Sequence, residues 1–104
     1  MNKTYFLTFQ VKALDNNSEW SKYKNVSATC WVKAFSAISA YRECVHYFKR
    51  KNLKIKGLDE SIVNVTREMF IDRDVGLEHF DNAQKQGFSI FYLGVDQRLT
   101  EPKF

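Results

Sequence analysis

Tyr5-Phe6-Leu7-Thr8-Phe9-Gln10-Val11-Lys12-Ala13 decides the fold. Tyr5, Leu7, Phe9, Val11 and Ala13 fall on one side of an extended chain, and Phe6, Thr8, Gln10 and Lys12 on the other. A period of two sustained over residues 4–13 marks a half-buried β-strand. The pattern returns at residues 26–35, where Val26, Ala28, Cys30, Val32 and Ala34 share one face and Ser27, Thr29, Trp31, Lys33 and Phe35 the other. The small apolar members of the first set would let a helix approach closely, so that face is expected to point inward. The two strands pair most simply as an antiparallel hairpin. Between them, residues 15–25 are polar and open on the turn signal Asp15-Asn16-Asn17-Ser18. This connection is long for a hairpin and carries Trp20 and Tyr23, and loops of that length often have functions of their own.

After the second strand the period changes from two to that of a helix. Ser36 offers an N-cap, and Ala37, Tyr41, Cys44 and Phe48 recur at helical spacing up to a basic last turn, Lys49-Arg50-Lys51. Leu53 and Ile55 suggest a short third strand broken at Gly57, and Ser61–Met69 reads as another, so residues 53–70 form either one bent strand or two short ones. Asp72-Arg73-Asp74 supplies cap candidates for a second helix with the stripe Leu77, Phe80 and Ala83, and Gly87 stands where a left-handed C-cap belongs. Residues 88–95, Phe-Ser-Ile-Phe-Tyr-Leu-Gly-Val, are apolar on both faces, as expected of an interior strand. The polar tail 96–104, with Pro102, is expected to fray. The resulting order is β-β-α-β-α-β. It predicts an α+β two-layer sandwich, with a mostly antiparallel four-stranded sheet carrying two helices on one face.

A chain of 104 residues without repeats or Pro/Gly-rich linkers implies a single domain over 1–104. Nine Phe, five Tyr and two Trp against one Pro argue against disorder away from the ends. No apolar run approaches the roughly 20 residues that span a bilayer, so no membrane partner is expected. The first residues do not follow the pattern of a secretory signal, and two cysteines make no disulfide framework. A cytoplasmic location is therefore expected, with Cys30 and Cys44 reduced.

Charge is distributed unevenly. Residues 1–56 hold eleven Lys and Arg against three Asp and Glu, whereas residues 57–104 hold five against nine. The first part suits phosphate or an acidic protein surface; alternatively, the two parts neutralise each other within the fold.

No residue set forms a reaction centre. His46 and His79 lack a second ligand at metal spacing and read as helix-surface residues. Cys44 and His46 are two apart on a helix and point in different directions, so they form no nucleophile–base pair. Asp72, Asp74, Glu78 and Asp81 crowd the start of the second helix, but an EF-hand counted from Asp72 would need Glu where Ala83 stands. The four glycines are scattered and build no phosphate loop. No cofactor, metal or enzymatic activity is expected.

Binding surfaces remain. The outward sheet face presents Phe6, Lys12, Trp31, Lys33 and Phe35, with Trp20 and Tyr23 in the adjoining loop. Lys49, Arg50, Lys51, Lys54 and Lys56 form the densest basic cluster and suit phosphate or an acidic surface. Aromatic anchors beside steering charges fit a small non-enzymatic protein that blocks or regulates another protein, of the toxin-immunity or phage anti-defence type. The alternative is a nucleic-acid-binding module that stacks bases on the same outer sheet face. A second copy of the chain covering that face, as a homodimer, is a further expectation.

Overall fold

The computed structural model describes residues 2–14, 23–59 and 62–96. Trp20 and most of the expected 15–25 loop lie outside them, as does the tail beyond Asp96. The first strand, β1, runs Lys3–Ala13, and β2 runs Tyr23–Ala34. They pair antiparallel from Lys3↔Ala34 to Val11↔Val26. Strand β2 begins earlier than the alternation suggested, because Tyr23 and Asn25 already pair with Asp96 and Val95. Helix α1 spans Ala37–Arg50, and the Ser36 hydroxyl caps it by accepting from the Ser39 amide at 3.2 Å. Asn52, in the left-handed region at φ 57°, then turns the chain into β3, Leu53–Leu58.

Strand β4 is short, Val63–Val65, and a 3-10 turn at Arg67–Phe70 follows it. Of the two layouts expected for residues 53–70, two short strands are formed, the second shorter than the 61–69 stretch suggested. Helix α2 spans Asp74–Gln86 and ends on Gly87 at φ 87°, a left-handed C-cap that glycine adopts without Cβ strain. Arg73 holds the N-cap position without a side-chain cap bond. Strand β5 is Phe88–Asp96.

The sheet is open and antiparallel, with β1 and β2 central, β5 beside β2, and both β3 and β4 along the free side of β1. Five strands thus occupy four lanes, because β3 and β4 are two short strands along the same side of β1. The α+β class and the layering of α1 on the sheet follow the sequence expectation. Tyr5, Leu7, Phe9, Val11, Val26, Ala28, Cys30 and Val32 bury their inward face beneath Ala40, Cys44 and Phe48 of α1.

Two expectations need correction. Helix α2 does not join α1 but packs on the opposite face, where Phe80 and Ala83 meet Trp31, Val65 and Phe70 in a second cluster, with Phe6 against it. The chain must cross from β4 on one side of the sheet to β5 on the other. Helix α1 already fills the inward face, whereas Phe6 and Trp31 offer apolar area on the outward one. Gly76 permits the close approach of the 3-10 turn to α2, since a Cβ there would lie 2.8 Å from the Phe70 ring. Strand β5, apolar on both faces, is not interior but an edge among the described residues. Its apolar residues are explained by the two faces: Phe88, Ile90 and Tyr92 pack toward the α1-side core, and α2 lies across the other face.

Candidate functional site

The outward sheet face is divided in two. Over its first half, Phe6 lies edge-on to Trp31 (5.1 Å between ring centroids), and both contact Phe70. Trp31 is only 4% exposed and stacks on His79 at 4.8 Å. His79 Nδ1 shares a 2.6 Å hydrogen bond with Ser89 Oγ, and Gln84 Nε2 donates to Thr4 Oγ1 at 2.6 Å. Phe6 and Trp31, expected as outward contact residues, instead hold α2 to the sheet, and His79 is no solvated surface histidine. The stacking platform of a nucleic-acid sheet is not formed there. The other half is polar and carries no helix among the described residues: Thr8 and Thr29 hydroxyls meet at 3.3 Å, and Gln10 Nε2 donates to Asp59 Oδ2 at 2.7 Å.

Lysines gather at the end of the sheet away from α2. Lys12 and Lys54 are register partners on β1 and β3, both exposed. Lys49 lies in the last turn of α1, sharing a cleft with Lys54, and Lys51 is the C-cap; Arg50, in the same turn, faces the other side of the helix. Lys56 is the extra residue where the β1–β3 register shifts between Gln10 and Val11. Among the described residues, no carboxylate pairs with Lys12, Lys49, Arg50 or Lys54. Arg67 and Asp81, both from the acidic part of the chain, pair with each other instead, Nε to Oδ1 at 3.0 Å and Nη2 to Oδ2 at 3.3 Å. This bond holds the Asp81 carboxyl below the usual carboxylate range and raises the Arg67 guanidinium.

Helix α1 is flanked by two clefts. On its β3 side, an apolar cleft of about 340 Å³ lies among Leu14, Val45, Phe48, Leu53 and Ile55, and Lys49 and Lys54 complete its lining. Lysine stems line apolar surface while their heads stay hydrated, so this cleft carries positive charge at its margin. On the β5 side, a polar cleft of about 560 Å³ is lined by Lys33, Glu43, His46, Arg50 and Gln86. Tyr47 and Phe88 wall it with rings stacked at 4.9 Å, and Lys51 Nζ lies 5.7 Å from the Tyr47 ring centre. Arg50 therefore joins Lys33, far away in sequence, around one cavity.

Phe35 is 74% exposed at the β2–α1 corner, apart from either cleft. The backbone of Tyr23 begins β2, so it belongs to the sheet and not to a loop. Reading the sequence for charge found the lysines but missed Leu14, Val45, Leu53 and Ile55 as a cleft. The alternation Leu53-Lys54-Ile55-Lys56 carried that signal, since it sets apolar residues against α1 with lysines between them.

The two clefts present charged and apolar groups. Cys30 and Cys44 are buried and free; burial above all, then a hydrogen bond with Cys44, pushes the Cys30 thiol far above its ordinary value. A thiol held protonated in this way is a poor nucleophile. Among the described residues, no three His, Cys, Asp or Glu side chains gather as a metal site, and no helix is long and apolar enough to cross a membrane. No family model, no curated protein and no solved structure matches the chain.

Proposed function

We propose that this protein is a non-enzymatic binding protein that blocks or regulates a macromolecular partner, engaging an acidic protein surface with its basic end. An inhibitor of the toxin-immunity or phage anti-defence kind has this character. The observation that supports the reading is the apolar cleft between α1 and β3 with Lys49 and Lys54 in its lining. An apolar anchor fills such a cleft while the lysines meet carboxylates around it, combining a desolvated contact with charge steering. A protein partner is favoured over nucleic acid because Phe6 and Trp31 are enclosed under α2 and cannot stack bases.

The test is recovery of partners from the native host's extract with tagged wild type and with the double variant Lys49→Glu/Lys54→Glu. Both sites are exposed, so the variant is expected to fold. A stoichiometric protein retained by wild type and lost with the variant is the expected result. Nuclease-sensitive retention would transfer the role to nucleic acid. Equal retention by both proteins would remove the basic end from the function.

A further inference from the structure

The two sides of the sheet differ in how they meet solvent. Along β1, the side formed by β3 and β4 is broken into two short strands, shifts register at Lys56 and carries Lys54. Short strands, bulges and lysines are the devices that stop a sheet edge from pairing with another chain. Strand β5 is neither short nor lysine-bearing, and the one register shift in its pairing lies at its far end, opposite Val95 and Asp96, where Lys24 of β2 is the extra residue. Strand β5 is nine residues long, carries no charge from Phe88 to Val95 and contains no proline. Its outward-facing Phe91 and Leu93 are 39% and 58% exposed. Among the described residues, no strand pairs with its outer side. Its composition is that of a strand with neighbours on both sides, and the described residues supply one.

We infer that β5 pairs antiparallel with β5 of a second copy of this chain, joining the two sheets across a two-fold axis near Phe91. Charge favours a second copy as the occupant. The strand has no charge of its own before Asp96, so self-pairing sets no like charges opposite each other along it. The α1 stripe on the β5 side carries Glu43 toward one end and Arg50 toward the other. Antiparallel pairing reverses that stripe in the second copy, so Glu43 of each copy lies toward the Arg50 end of the other. It also points the two lysine-rich ends in opposite directions, because Gly94, Val26 and Val11 are aligned at that end of the sheet. Phe91 and Leu93 are then covered at the join, and a closed two-fold pair is the commonest assembly of identical chains.

Sedimentation equilibrium from about 5 to 300 µM tests the pairing, since self-association follows protomer concentration. The full chain is expected to rise from 12.3 kDa toward twice that mass. Leu93→Lys is expected to hold it at the single mass, and Ile71→Lys, at an exposed apolar residue in the turn before α2 and outside β5, to leave the pairing intact. Amide exchange gives a second measure that does not depend on a variant: alternate β5 amides should slow as concentration rises. A wild-type chain at the single mass throughout, with β5 amides indifferent to concentration, would overturn the proposal. So would dissociation by Ile71→Lys and Leu93→Lys alike. Protection of β5 only in the presence of another protein would assign the edge to a foreign strand and likewise overturn it.

Discussion

Cys30 shows how far a single position in this fold departs from its free chemistry. It is fully buried between the sheet and α1, and the Cys44 thiol beside it adds a hydrogen bond. Its ionisation is therefore favoured only in the unfolded chain. Below the ordinary thiol value of 9.0, folded and unfolded chains both hold the proton, and this residue gives stability no pH dependence. Above it the unfolded chain releases the proton and the folded chain keeps it, so stability falls by about 1.4 kcal/mol per pH unit. Urea unfolding between pH 7 and 10 is expected to show that decline in the wild type and a shallower one in Cys30→Ala. Trp31 is a different case: its indole N–H is buried with no acceptor among the described residues, although the ring is closely packed. An orphaned donor costs about 1–3 kcal/mol, which the contacts with Phe6, Phe70 and His79 must offset.

At the level of elements, α2 is the piece that sets the surface. Its apolar stripe is narrow, Phe80 and Ala83 with Leu77 beside them, so its attachment depends on few residues. Phe80→Ala removes the largest of these and is expected to cost about 3–5 kcal/mol. The loss should appear as early amide exchange in α2 and increased exposure of Trp31, read by fluorescence quenching, while α1 and β2 stay protected. Uniform loss of protection across both helices would mean that the two clusters form one cooperative unit. The stripe Leu77, Phe80 and Ala83 was legible in the sequence, as were the caps at Ser36 and Gly87. The face that α2 occupies was not. Periodicity says that a helix has an apolar side, but Phe6 and Trp31 could be recognised as its seat only when the crossing from β4 to β5 was known.

Across the whole molecule, the charge imbalance along the chain becomes a separation in space. Lys12, Lys49 and Lys54 collect at one end with no carboxylate partner among the described residues, and Arg67 of the acidic part pairs with Asp81 of that same part. Exposed charges of one sign act over about a Debye length, ~8 Å at physiological salt. Association with the proposed acidic partner is therefore expected to slow by ~10-fold or more between low and high ionic strength, measured by stopped-flow, with a smaller change in dissociation. An association rate indifferent to salt would leave the lysines without a steering role.

The amino-acid sequence by itself determined the strands β1 and β2, both helices, the inward face of the sheet and the supply of lysines. Each is a local or periodic property, and period two, period 3.6 and a cap are written in neighbouring residues. Tertiary structure alone decided which face α2 covers, that β5 is an edge, and that Lys49 and Lys54 line a cleft with Leu53 and Ile55. These depend on which lane a returning strand takes and on what each helix finds already filled. Such choices are settled by burial between residues distant in the chain, where the local pattern permits several answers.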